Sequence, residues 1–320
     1  MIAKFVKLLN VLSKHVYVFL KICVLFLRGR YHYFDIQNSK MLLDLKDKGI
    51  SRELAINKIH EAQSTEFLKS LLKKGDVVID IGANIGYYVL IESKIVGKKG
   101  KIFAIEPSKR NFEFLTKNIK LNNVRNVKAF NFAVGDKDGY VEFIETQQSN
   151  RSYVSLLSGE DIAAKKYKVK MRSVDSFVKE NEIKKVSLIR MDIEGFEAYA
   201  LKGMQDILKK KLPDYFYIEF HPKAIGELGF NFENILNDLE KKGYVLQIAF
   251  FESDNMGIKF HWIKKMIERM ISKPKKAVKI FKNELSFLKA QSTFYDKKAL
   301  LNSPILKTKN AVACFLKRNK

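Results

Sequence analysis

The chain has 320 residues, 47% hydrophobic and 29% charged, which suffices for one α/β domain with a full core plus additions. Two cysteines at opposite ends, Cys23 and Cys314, and five scattered histidines exclude a disulfide framework, a structural zinc site and an H-E-x-x-H metal motif, and fit a reducing compartment. The formal net charge of +24 is concentrated in two flanks: residues 1–34 carry six Lys and Arg with no acid, and residues 256–320 carry 17 against Glu268, Glu284 and Asp296.

Residues 1–34 read as a basic amphipathic helix. Lys7, Lys14, Lys21 and Arg28 recur every seven positions, with Lys4 one turn before Lys7. On a helix they form one slowly drifting stripe beside a wide apolar face, the pattern of a helix lying in a bilayer interface. A spanning helix would carry Lys14 and Lys21 through hydrocarbon at about 2.5–3.5 kcal/mol each near the centre. A signal peptide would need a lysine-free apolar core and a small-residue cleavage site. The plain alternative is a cap packed on its own domain. Residues 35–74 read as a helical lead-in with Ser51 or Asn57 as caps.

The core, residues 75–254, begins with VVIDIGANIG at 77–86. Val77–Asp80 is a short β-branched run, as in a strand covered on both faces. Helical spacing takes over from Ile85 to Val96, so Gly82 and Gly86 lie in a strand-to-helix turn whose backbone can approach a ligand. A second strand, Ile102–Ile105, ends in Glu106, placed to accept both hydroxyls of a ribose. Asp80 before the first glycine would repel a pyrophosphate and suits an ammonium or sulfonium. Electrostatics therefore favours S-adenosyl-L-methionine (SAM) over a dinucleotide.

Further along, Asn111–Leu121 reads as a helix, Val127–Ala133 as a strand, 135–139 as a turn and Tyr140–Ile144 as a short strand. Residues 145–166 are polar and long enough for a lid. Tyr167–Arg172 alternates as an edge strand would, and Asp175 is placed to cap Ser176–Glu182. Strands Val186–Ile189, Tyr215–Phe220 and Tyr244–Phe250 then alternate with helices Phe196–Lys209 and Phe232–Lys242, the rhythm of a largely parallel sheet. Residues 255–304 read as an insertion of two basic amphipathic helices, and a strand pattern returns at Ala311–Leu316 within the final segment, 305–320.

Two strand ends gather acids. The fourth core strand runs into Asp192, Glu194 and Glu197, and the fifth ends in Glu219, His221 and Pro222. Both fall at the carboxyl edge that carries the glycine turn. At this point the chain resembles the FkbM-type SAM-dependent methyltransferases, over about residues 75–222. The resemblance runs through VVIDIGANIG, AIEPS, FAVGD, VDSF, LIRMDIEGFEAYALKG and YIEFH, with D-[IV]-E-G-x-E as its specific part. Arg190 stands where the family has lysine.

The resemblance implies a Rossmann-like class I methyltransferase sandwich, α/β, with a mostly parallel sheet and an antiparallel last strand. It implies methyl transfer from SAM to a hydroxyl oxygen by in-line displacement, with catalysis mostly positioning plus a base. Asp80, Gly82, Ala83, Asn84 and Gly86 are expected at the methionine end of SAM, Glu106 at the ribose, and Pro107, Ser108 and Ala133 around the adenine. Asp192 and Glu194 are expected to line the reaction centre, with His221 as a neutral imidazole base and Glu219 second. No metal motif is evident; Asp192, Glu219 and His221 come nearest to an oxygen-rich cation site. The flanks point to an anionic membrane surface on the cytoplasmic side and a saccharide or lipid-linked acceptor. A nucleic-acid partner, as in an RNA methyltransferase, is disfavoured. There is no Asn-Pro-Pro-Tyr motif and no cysteine at a catalytic strand end, and apolar residues rather than aromatic ones interleave the cations. A non-catalytic protein of the same fold is the remaining alternative.

Overall fold

In the computed structural model the described residues are 29–145, 152–154, 165–251, 295–303, 306 and 311–319. Most of the expected N-terminal helix, of the polar stretch 145–166 and of the 255–304 insertion lies outside them. Among the described residues no helix is long and apolar enough to cross a membrane.

The first described elements correct the helical lead-in. β1 (Tyr31–Ile36) and β2 (Ser39–Asp44) form an antiparallel hairpin. Its two turn residues, Gln37 and Asn38, both have left-handed φ, 49° and 58°. Such a turn matches the twist of the strands it joins. Helices arrive only with α1 (Ile50–Asn57) and α2 (Ala62–Leu71). The hairpin and both helices bury Ile36, Met41, Leu43, Leu54 and Leu68 against one face of the main sheet.

The chain then runs β3 (Val77–Ile81), α3 (Tyr87–Val96), β4 (Lys101–Ile105), α4 (Lys109–Leu121) and β5 (Val127–Phe130). A side sheet comes next, from β6 (Ala133–Val134), β7 (Gly139–Glu145), β8 (Ser152–Val154) and β9 (Lys165–Arg172), in the order β6-β9-β7-β8. The expected single strand 127–133 is thus split between two sheets. β9 is interior rather than an edge, because β6 pairs with its far side. After α5 (Val174–Glu180) come β10 (Val186–Met191), α6 (Glu197–Lys202), α7 (Gln205–Lys209), β11 (Pro213–Phe220), α8 (Pro222–Glu227), α9 (Phe232–Lys241), β12 (Tyr244–Phe250), α10 (Lys297–Leu301) and β13 (Val312–Arg318).

Two local expectations change. Ser173, not Asp175, caps α5, accepting from the Ser176 amide. Asp175 instead accepts from the Asp206 and Ile207 amides and so starts α7. The helix expected over 196–209 breaks at Gly203, where a Cβ would lie 2.0 Å from the Gly135 carbonyl oxygen.

The main sheet has the order β12-β13-β11-β10-β3-β4-β5. β11, β10, β3, β4 and β5 are parallel, and β13 inserts antiparallel between β11 and β12, as the resemblance implies. Val186–Met191 is buried throughout because both faces are covered. Val78, Leu188 and Tyr217 pack under α1–α4. Ile79, Ile189, Phe216 and Ile218 pack under α5–α9. Strand order reverses between β3 and β10, and a crevice at the carboxyl ends of strands belongs at such a switch point.

Candidate active site

The switch point is built by chain crossing. The Asp192 amide donates to the Ile81 carbonyl at 3.0 Å, locking the end of β10 to that of β3. Gly82 has φ +84°, and a Cβ there would meet the Asp192 carbonyl oxygen at 1.9 Å. The first glycine is therefore required by two main chains in contact. The Gly82 and Ala83 amides turn back to the Ile105 carbonyl at 2.9 and 3.0 Å. Asn84 is left-handed, and its side chain accepts from the Ile85 amide at 2.9 Å. Gly86, φ +90°, opens α3 against Leu115.

Glu106 stands at the tip of β4, as expected from its spacing. Its two carboxylate oxygens accept from the amides of Asn84 and Ser108, each at 2.8 Å, tying the glycine turn to the next strand. Burial pushes its pKa up to about 7 against these two bonds. Ser108 caps α4 and donates to Glu145 of β7 at 2.9 Å. Asn131 donates to the carbonyls of Glu106 and Pro107 at 2.8 and 3.0 Å. Ala133 is buried in the core of the side sheet with Phe143 and Phe196. Glu106, Pro107 and Ser108 thus share one rim with the glycine turn.

Asp80 is paired inside the fold. It is fully buried and faces Arg190, its partner in the parallel register of β3 and β10. Arg190 Nη1 donates to Asp80 Oδ1 at 2.9 Å. The guanidinium lies 3.9 Å from the Tyr88 ring centroid and 3.6 Å from an Asp192 oxygen. Burial pulls its pKa down, but Asp80, Tyr88, Asp192 and Glu61 raise it well above the usual value. Glu92 of α3 is buried in the same region with neither oxygen hydrogen-bonded, and burial, with Asp80 nearby, raises its pKa well above the usual value. The second Asp80 oxygen, Oδ2, is buried with no hydrogen-bond partner among the described residues.

The acids of β10 and β11 converge as expected, with an addition from outside the core. A carboxylate oxygen from each of Glu61, Asp192 and Glu219 lies within 4.8 Å of the others. Burial and the neighbouring carboxylates raise Asp192 to about 7, against Arg190 and His221, and raise Glu219 well above the usual range. His221 does not join this cluster through its ring. Its Nδ1 bonds Glu197 at 3.0 Å and its Nε2 faces Glu194 at 3.5 Å. Burial pulls the imidazole down, but Glu197, Glu194 and Glu219 raise it to about 10. That direction favours the charged imidazole over the neutral one expected. Glu197 also accepts from the Gly195 amide at 2.9 Å, fixing the turn in which Glu194 has φ 54°.

Three residues are not marked as site residues by the sequence. Glu61 and His60 sit in the lead-in, where no spacing distinguishes them. Glu197 is visible in the signature as a helix-start acid, and burial at 0% exposure makes it the anchor of His221. The donor set fits a nucleoside with a cationic side arm: a buried carboxylate beside the turn, main chain along it, and acids at the adjoining edge.

The family described as Methyltransferase FkbM domain matches residues 80–246. Hexuronic acid methyltransferase AglP of Haloferax volcanii is 28% identical over 160 residues, 49% of this chain and 62% of that protein. A protein-L-isoaspartate O-methyltransferase of Thermosipho melanesiensis is 36% identical over 73 residues, 22% of this chain and 35% of that protein. The chain thus spans less than two thirds of the length of either relative. Among solved structures, an rRNA methylase from Streptococcus thermophilus has a TM-score of 0.40 at 9% identity, covering 81% of this chain and 95% of that one, values that decide nothing about an acceptor.

A buried Glu92 with a raised pKa has a measurable consequence. Its folded pKa lies well above the unfolded value near 4.5. Its contribution is therefore present below that pH and is lost as pH rises, because only the unfolded chain ionises it. Glu92→Gln removes this loss. The thermal midpoint of the variant should match the native protein near pH 4.5 and exceed it increasingly toward pH 8, by calorimetry.

Proposed function

The chain belongs to the FkbM methyltransferase family, and from that premise we propose that it moves the methyl group of SAM to a hydroxyl of a saccharide or lipid-linked saccharide at a membrane surface. The observation that carries the reading is the convergence, at one switch point, of the glycine turn, Glu106 and the acids closing β10 and β11. When bound, SAM supplies an electrophilic methyl group on a cationic sulfur. Glu106 would hold the ribose. The main chain of Gly82, Ala83, Asn84 and Gly86 would line the methionine arm, and Pro107, Ser108 and Ala133 the adenine side. Asp192, with a pKa of about 7, suits a proton acceptor at cell pH. It replaces His221, whose fixed positive charge orients Glu194 and steadies acids around the acceptor. Glu219, whose pKa burial and the neighbouring carboxylates raise well above the usual range, would in its protonated form donate a hydrogen bond to the acceptor.

The acceptor class draws on a relative named for a hexuronic acid substrate and on the two basic flanks. Two segments whose sequences each combine cations with apolar residues at helical spacing, 1–30 and 255–304, suit an anionic leaflet on the cytoplasmic side, at about 1 kcal/mol per cation. They act together because binding one raises the local concentration of the other.

With methyl-labelled SAM and a membrane extract as acceptor source, label should enter the saccharide-bearing lipid fraction, and Asp192→Asn should abolish transfer while SAM still binds. Label in RNA instead would overturn the acceptor class. Calorimetry should also show SAM affinity falling as pH drops through 7, since the ribose needs an ionised Glu106 and its folded pKa is about 7. Glu106→Gln should bind more weakly at pH 8, by about 1–3 kcal/mol, and lose the pH dependence.

A further inference from the structure

Glu61 lies outside the segment matched by the family, in the turn between α1 and α2. It adopts a left-handed backbone, φ 42° and ψ 71°, a conformation that a long side chain holds only when its surroundings impose it. The surroundings are specific. Tyr88 Oη of α3 donates to Glu61 Oε2 at 2.8 Å. His60 Nε2 faces Glu61 Oε1 at 3.1 Å, and the other ring nitrogen of His60 bonds Glu53 of α1 at 2.6 Å. The whole turn is pinned to the core. The His60 amide donates to Tyr87 Oη at 3.3 Å, Tyr87 Oη bonds Thr65 Oγ1 at 3.0 Å, and Tyr217 of β11 bonds Ser64 of α2.

We propose that Glu61 is a positioning residue of the reaction centre: its fixed negative charge, set against Asp192 and Glu219, keeps a proton on Glu219 and makes the Asp192 carboxylate basic enough to take the proton of the acceptor hydroxyl. The inference rests on the methyl-transfer reading of this site. Three carboxylates within 4.8 Å of one another cannot all ionise cheaply, so the cluster retains a proton wherever its charge is least compensated. Glu61 has the best compensation. His60, Arg190 and Tyr88 lower its pKa to about 2 against burial. The proton burden therefore falls on the other two. Asp192, just past β10, faces Arg190 of that strand, Glu194 in the same turn, Glu219 of β11, His221 just beyond β11, and Glu61 from the lead-in. Glu219 faces Glu61, Asp192, His221 and Glu194. Arg190 and His221 stabilise the ionised Asp192, while Glu61 and Glu194 oppose it. In the step itself the hydroxyl proton would pass to an Asp192 oxygen as the acceptor oxygen bonds the methyl carbon; the bond from that carbon to the sulfonium sulfur would break with its electron pair staying on sulfur, which leaves as the neutral thioether of S-adenosylhomocysteine, so no redox partner is involved.

The test is a carbon-13 NMR titration of the full chain, without acceptor, labelled at Asp and Glu carboxyls and assigned with Asp192→Asn and Glu219→Gln. In the native protein Asp192 should titrate near 7. In Glu61→Gln its midpoint should fall by about 1 pH unit or more, as expected for losing a like charge at this range, and Glu61→Asp should restore most of the shift. SAM calorimetry runs alongside. Native protein that fails to bind SAM would sink the methyl-transfer reading, whatever the titration shows. Glu61→Gln that binds SAM normally yet leaves the Asp192 midpoint unmoved would overturn the role of Glu61. So would carboxyl signals that shift on adding micromolar magnesium, because the cluster would then be a cation site.

Discussion

The arrangement depends on one buried ion pair. Asp80 and Arg190 sit side by side in the parallel register of the two strands that flank the switch point. A buried pair of this kind adds little net stability, yet leaving either partner alone is expensive. It therefore fixes which strands are neighbours and in which register. A slip of one residue would point both charges at opposite faces of the sheet. Everything above it inherits that register: the Asp192 amide on the Ile81 carbonyl, the glycine forced at position 82, and the Tyr88 ring held under the guanidinium, which in turn presents its hydroxyl to Glu61.

From that base the chemistry arises by crowding. Five acids, Glu61, Asp192, Glu194, Glu197 and Glu219, meet His60, Arg190 and His221 at one edge of the sheet. The cations settle on their nearest partners. Arg190 takes Asp80, and His221 takes Glu197. The group left over is a carboxylate raised toward neutrality, and methyl transfer to a hydroxyl asks little more of a protein than such a group and correct positioning.

Much of this is legible in the sequence because burial and periodicity are local. The strand–turn–helix at 77–96, the acid at 106 and the acids after β10 and β11 all lie where pattern and spacing place them. The hairpin at 31–44 is legible too, since YHYFDI alternates and Gln37-Asn38 suits its turn, but the stronger helical pattern of residues 50–71 masks it. Asp80 stands out by its position before a glycine, which suggests a ligand contact. Its true partner is equally visible: two apolar strands, VVIDI and VSLIRM, each contain one charge of opposite sign. Glu61 is not legible. Its place at the site comes from helix docking through Tyr87, Thr65, Ser64 and Tyr217, contacts between distant segments that no local pattern encodes.

The most direct test of the tie between strands compares Asp80→Asn with the double variant Asp80→Asn/Arg190→Met, measuring stability by denaturation and SAM affinity by calorimetry. If Asp80 serves the fold and not the ligand, the single variant should lose about 3–5 kcal/mol of stability by stranding a buried guanidinium. The double variant should recover most of that loss and bind SAM with near-native affinity. A double variant that regains native stability yet fails to bind SAM would contradict this role, because Asp80 or Arg190 would then be acting on the ligand and not on the fold.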